Sequence, residues 1–146
     1  MPTLTAKLTP DGPIVRLAVF VSTPRREALL AAGLPVPKPV LLNVLVDTGA
    51  SGTCIDPSHL APLGIAPSGA IDVHTPSTAG QAVLLQQYDV DLGVMLDDGV
   101  FHFVDTLPVV ESSLAAVGVD GLLGRDVLSH AILIFNGPAK IFTLAF

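Results

Sequence analysis

Leu45-Val46-Asp47-Thr48-Gly49-Ala50-Ser51 is the stretch on which the reading of this chain turns. It ends the apolar run Val40–Val46, whose pattern predicts a strand buried on both faces. That strand leads directly into an Asp-Thr-Gly turn. Taken alone the triplet is explained by an ordinary Asp/Gly turn, since average residue frequencies put Asp-Thr-Gly in roughly 3% of chains this long. Three further Asp-Gly pairs, Asp11-Gly12, Asp98-Gly99 and Asp120-Gly121, lack both the middle Thr and the apolar lead-in. Further along, Asp120-Gly121-Leu122-Leu123-Gly124-Arg125-Asp126 sets two apolar residues before a glycine and then a short helix. Alone, it too reads as strand, turn and helix.

Each residue of the first motif has a physical use. Asp47 offers a carboxylate at the tip of a loop. Gly49 permits close backbone approach and conformations that a side chain forbids, and its N–H can donate to the carboxylate. Thr48 carries a hydroxyl able to reach a second such loop across a symmetry axis. Together, and in this order, the two motifs resemble the pepsin/retropepsin superfamily of aspartic peptidases. Residues 40–55 and 118–146 follow its pattern, while the middle of the chain shares only a rhythm of strands and hairpins. The resemblance implies an all-β, retropepsin-like acid-protease fold: a closed, barrel-like β domain with one or two short helices, spanning residues 1–146. It implies Asp47, Thr48 and Gly49 as the catalytic triplet, with Thr48 in an interlaced contact between two loops. It casts Leu122, Leu123 and Gly124 as the strand that threads past this loop and holds it rigid, with Arg125 in structural support. It requires no metal and no cofactor.

Peptide hydrolysis of this type needs two carboxylates sharing one proton, one acting as base on a water and the other as acid toward the carbonyl oxygen. The chain carries one such motif. A two-fold homodimer that sets Asp47 beside its own copy supplies the second. The expected partners are therefore a second copy of the chain and a polypeptide substrate, held as an extended, largely apolar segment.

The sequence also departs from the family. Many retroviral relatives place an acidic residue where Ser51 stands, paired with the Arg after the later Gly. Here Arg125 is left to cap backbone carbonyls or to find another carboxylate. Ile132–Phe146 reads as a full hairpin, longer than the single terminal strand of the viral enzymes and closer to the cellular relatives. Its last residues, Phe142 to Phe146, form a strand for a dimer interface or for the core, because exposed terminal Phe is costly. Ala50 and Ser51 are expected at the substrate. A flap over it is expected in His74–Gln81, with Ser77, Thr78, Ala79 and Gly80 touching substrate; a plain surface loop is the alternative.

The rest of the chain fits this frame. Thirteen Gly and thirteen Pro among 146 residues suit a turn-rich β domain. Strands are expected at Thr3–Leu8 and Ile14–Val21. Gln81–Leu92 and Val100–Val104 flank an Asp97-Asp98-Gly99 turn, and Ile132–Phe135 and Lys140–Phe146 flank Asn136-Gly137-Pro138. Short helices are expected after Asp56-Pro57, up to the stop at Gly64, and over Arg125–His130 and Arg26–Ala32. Half the residues are apolar and 14% charged, a pattern that suits a covered subunit surface. A net charge of −6 with no basic cluster argues against nucleic acid or an anionic membrane as partner. The apolar runs are too short for a membrane span, and no signal-peptide pattern opens the chain, so a cytoplasmic protein is expected. His59, His74, His102 and His130 show no metal-ligand spacing with Cys54. No nucleophile-elbow pattern supports a serine hydrolase. The leading expectation is an aspartic endopeptidase. The alternative is a catalytically silent peptide-binding or dimerisation module on the same fold.

Overall fold

Short runs rich in apolar and β-branched residues, separated by turns, make strands the main element of the chain. The computed structural model describes residues 1–74 and 79–146. In chain order these form β1 (Thr3–Lys7), β2 (Ile14–Val21), α1 (Thr23–Ala31), β3 (Val40–Val46), β4 (Cys54–Ile55) and α2 (Pro57–Leu60). Next come β5 (Gly69–Val73), β6 (Val83–Met95), β7 (Phe101–Glu111) and β8 (Gly121–Leu123). α3 (Arg125–Leu128), β9 (Ile132–Asn136) and β10 (Ile141–Ala145) complete the order.

The larger sheet runs β2-β3-β8-β4-β7-β6-β5, and β6 also pairs with β2, so six of its strands close into a barrel. Closure leaves few open edges to guard. β5 hangs outside the ring as the partner of the first half of β6, from Gly69↔Gln87 to Val73↔Val83. The barrel interior is filled by inward residues such as Leu17, Leu42, Val44, Leu92 and Leu123, each almost wholly buried. Burying a side chain of this size contributes roughly 1.5–3 kcal/mol.

β3 shows how the closed barrel alters a simple reading of its sequence. The run Val40–Val46 suggested burial on both faces. In the structure it alternates, with Leu42, Val44 and Val46 inside while Leu41 and Asn43 face solvent. Leu41 is 52% exposed, so this part of the strand is dry on one side only.

A second sheet has the order β1-β10-β9. Its inner face docks Phe142 and Leu144 into the barrel core, both fully buried. The terminal strand is thus a core strand. The sheet is pinned at its β1 side by Asp97 in the β6–β7 turn, whose two carboxylate oxygens accept the Thr5 N–H at 3.1 and 3.0 Å. His102 stacks on Phe146 with ring centroids 4.2 Å apart.

The helices are short and locally specified. α1 begins at Thr23, where the Ser22 hydroxyl accepts the Arg25 N–H at 3.4 Å. Asp91, nearly buried, ties its start to the β7 bulge by accepting from the Thr23 hydroxyl and the Thr106 N–H, each at 2.7 Å. α2 is capped by Asp56 with Pro57 in its first turn, and its continuation ends at Gly64, which takes φ +60°. No helix among the described residues is long and apolar enough to cross a membrane.

Candidate active site

The chain leaves β3 at Val46, loops through residues 47–53, and re-enters the sheet as β4 on the far side of β8. β8 is thereby held between the two arms of the loop: it runs parallel to β3 (Val46↔Leu123) and antiparallel to β4 (Cys54↔Leu122). This geometry needs a strand without side-chain bulk at two crossing points, and glycine supplies both. A Cβ on Gly121 would lie 2.6 Å from the Cys54 carbonyl oxygen. One on Gly124 would lie 2.4 Å from the Gly52 carbonyl carbon.

A ladder of hydrogen bonds fixes the loop against β8. The Asp47 N–H donates to the Leu123 carbonyl at 3.0 Å, and the Arg125 N–H to the Ala50 carbonyl at 2.9 Å. The Gly49 N–H donates to the Asp47 carboxylate at 2.8 Å. Gly49 does not adopt a positive φ, so its expected conformational role is not the one it fills. What its bare Cα provides is room: a Cβ there would stand 3.1 Å from Asp47 Oδ1. Within the chain, Gly124 makes a close backbone approach to Gly52.

Arg125 finds a carbonyl partner. Its Nη1 donates to the Thr48 carbonyl at 2.8 Å. With Ser51 in place of an acidic residue, no carboxylate among the described residues pairs with this guanidinium. The Thr48 side chain is exposed and makes no hydrogen bond within the described residues.

Two residues that the sequence did not single out complete the scaffold. Thr53 is fully buried, and its hydroxyl donates to Asp126 Oδ1 at 2.7 Å while accepting the Gly124 N–H at 3.2 Å. Asp126 Oδ2 accepts the Thr53 N–H at 2.8 Å, and Asp126 Oδ1 its neighbour's N–H, Val127, at 2.9 Å. A carboxylate satisfied by three donors welds the loop to the start of α3.

Asp47 opens onto a cleft of about 500 Å³. Gly49, Ala50 and Ser51 line it on the loop side, and Leu122 lines its floor. Leu123 and Gly124 are buried behind, and Thr48 and Arg125 lie outside it. The opposite wall is the β5–β6 hairpin, through Ile71, Val73, His74 and Leu85. Ile71 and Val73 are two apart on β5 and so share a face. Ala79 and Gly80 stand exposed near the hairpin tip, with φ of 50° and 79°, and are not part of the cleft wall among the described residues. Ser77 and Thr78 lie outside the described residues.

Cys54 also lines the cleft. Burial pushes its thiol pKa up, and the carboxylates of Asp126 and Asp47 push it further the same way. The thiol is held protonated, so it is a poor nucleophile and a poor metal ligand. Among the described residues no three His, Cys, Asp or Glu side chains gather as a metal site. The cleft also presents the carboxylate of Asp47.

Comparison with known proteins agrees with this geometry. A profile of the aspartyl protease family matches residues 33–127, which includes the Asp47 loop, β8 and the start of α3. A retropepsin-like aspartic protease from Rickettsia conorii has a similar structure, with a TM-score of 0.57 at 15% sequence identity. The match covers 97% of this chain and 89% of that one, and at this identity it speaks for the fold. Comparison with curated proteins finds no match. A family profile that spans well over half the chain, on a retropepsin-like β fold, places this protein in the aspartyl protease family.

Proposed function

We propose that this protein is an aspartic endopeptidase, with residues 1–146 as one catalytic domain that works as a homodimer. The observation that carries the reading is the placement of Asp47: a carboxylate at the floor of an open cleft, held by the Gly49 N–H and by a buried ladder of hydrogen bonds behind it. The apolar lining of the cleft, Ile71, Val73, Leu85, Val110 and Leu122, favours an extended apolar segment as substrate. The neutral thiol of Cys54 leaves acid–base chemistry at the carboxylate as the route.

One carboxylate is half of the required pair. In the dimer, Asp47 of one copy is ionised and Asp47 of the other protonated. The ionised group takes a proton from a water held between them, and the water oxygen bonds to the scissile carbonyl carbon. The protonated group gives its proton to the carbonyl oxygen. Breakdown of this tetrahedral species transfers a proton to the leaving nitrogen as the C–N bond breaks. Thr48, exposed and without an intrachain partner among the described residues, is free to bond its own copy across the axis. Gly49 orients the carboxylate, and Ala50 and Ser51 lie along the substrate.

Asp47→Asn tests the assignment. Peptidase activity, read as kcat/KM on a peptide library, is expected to fall by at least ~10²–10⁴-fold, the contribution of acid–base catalysis alone. Circular dichroism should be unchanged, since the substitution is isosteric. Full activity in this variant rejects the assignment. Peptide binding by wild type without any cleavage supports a silent binding module instead.

A further inference from the structure

We propose that a second pocket, at the base of the β5–β6 hairpin, binds a short zwitterion of the amino-acid class: a free α-amino acid or a dipeptide with apolar side chains. The pocket encloses about 300 Å³ and shares no lining residue with the Asp47 cleft.

Three elements build it. The turn from Gly64 to Ser68 leads into β5, Asp89 stands on β6, and Ser22 and Arg25 stand at the start of α1. The turn is fixed to β6 where the Ser68 N–H donates to the Gln87 carbonyl at 2.8 Å. α1 is anchored separately, through the Thr23 hydroxyl that donates to Asp91 at 2.7 Å. Arg25 and Asp89 are thus carried into one pocket by elements that are each held in place. Among the described residues neither side chain has an ion-pair or hydrogen-bond partner, and the two do not pair with each other. The pocket therefore presents one cationic and one anionic group, set apart.

Charge selects the occupant. A simple anion is drawn to Arg25 and repelled by Asp89, and a simple cation meets the reverse. A molecule that carries both charges satisfies both groups. The Arg25 guanidinium offers the planar fork of donors that a carboxylate accepts. Ser22 adds a donor at that end. It is 7% exposed, its oxygen accepts the Arg25 N–H at 3.4 Å, and its hydroxyl proton has no acceptor among the described residues. The Asp89 carboxylate accepts from an ammonium group. Between them lie Ala66 and Ile65, and Ile65 also packs against the core, so an apolar side chain finds an apolar wall. A volume of about 300 Å³ lies at the small end of ligand sites, which suits an amino acid or a dipeptide. Such molecules are what protein breakdown ends in, so the site fits the proposed activity without depending on it.

An NMR titration of isotope-labelled protein tests the proposal, with L-leucine and L-alanyl-L-alanine as probes that separate the two sources. At least one of them is expected to shift the amides of Ser22, Arg25, Ile65 and Asp89, with a Kd of ~1 mM or tighter. The amides of Gly49, Ser51 and Gly52 in the cleft should not move. Isocaproate lacks the ammonium group of leucine and isoamylamine lacks its carboxylate, and each should bind ~10-fold more weakly or worse than leucine. Arg25→Gln and Asp89→Asn should each weaken the bound probe by ~10-fold or more, with unchanged circular dichroism. Arg26→Gln alters the next residue of α1, outside the pocket, and should leave the Kd as it is. Asp47→Asn should also leave it as it is, so loss of peptidase chemistry and loss of this site are read separately. The proposal is overturned by the absence of shifts with both probes up to ~20 mM, far above the expected Kd. Shifts confined to the Asp47 cleft overturn it too, as does wild-type affinity in both folded pocket variants. Isocaproate or isoamylamine binding as tightly as leucine would also reject the zwitterion.

Discussion

Thr53 is the residue on which the rigidity of the site turns. Its hydroxyl both donates to Asp126 and accepts from the buried Gly124 N–H. Thr53→Val keeps the shape and deletes both bonds. It strands the Gly124 N–H and removes one donor from Asp126, which costs about 1–3 kcal/mol per unsatisfied buried group. Thr53→Ser keeps the hydroxyl and should cost far less. Urea unfolding of the three proteins checks this; equal midpoints for Val and Ser would show that the hydroxyl is not the support. The sequence made Asp47, Thr48 and Gly49 legible because they are adjacent and follow an apolar strand. It hid Thr53 and Asp126 because they meet only in space, 73 residues apart. Gly124 was legible as part of a motif, but not as the glycine that a Cβ would drive into the Gly52 backbone.

Among the elements, the junction between β4 and α2 shows local chemistry serving the site's surroundings. Asp56 caps α2 by accepting from the Ser58 N–H at 3.0 Å and the Ser58 hydroxyl at 2.7 Å, and it accepts the Leu114 N–H at 3.0 Å. The Leu114 bond, followed by the two from Ser58, lowers its pKa below 3.8, with a further contribution from His59. A carboxyl with a lowered folded pKa stabilises the fold fully above its unfolded pKa. That stability is lost as pH falls through the lower folded value. Asp56→Ala should therefore cost about 0.5–2 kcal/mol, as lost caps do, at pH 6. The gap in Tm between wild type and variant should shrink in strong acid, once wild-type Asp56 is itself protonated. A gap independent of pH down to the acid unfolding limit would contradict this role. Elements with strong local signals were readable: Asp56-Pro57 announced α2, and Asp97-Asp98-Gly99 and Asn136-Gly137-Pro138 announced two hairpins. α1 starts at Thr23 rather than Arg26, although Ser22 and Pro24 carried the cap signal. β4, two residues long, exists only because β7 and β8 flank it, and no local pattern marks so short a strand. The open outer face of β3 was equally hidden, since an apolar run does not say how many layers cover it.

At the scale of the whole molecule, the closed barrel and the second sheet carry the Asp47 loop that the proposed function pairs with its own copy. Short β-type runs between turn signals made a β fold legible, but ring closure through β2 and β6 was not, because it depends on register over distant strands. The proposed dimer has a consequence that separates a shared site from two independent ones. If each active site needs Asp47 from both copies, a chain with Asp47→Asn poisons every dimer it enters. Take wild type at a fixed concentration well above its Kd and add the variant in equal amount. Random exchange leaves half of the wild-type chains facing the variant, so activity should fall to about one half, by mass action alone. At ninefold excess of variant it should fall to about one tenth. The measurement is initial rate on a fixed peptide after the mixtures have exchanged subunits. If activity stays constant as Asp47→Asn is added while mixed dimers are detected by mass, each chain cleaves by itself. The shared-carboxylate mechanism would then be wrong, however well the two copies associate.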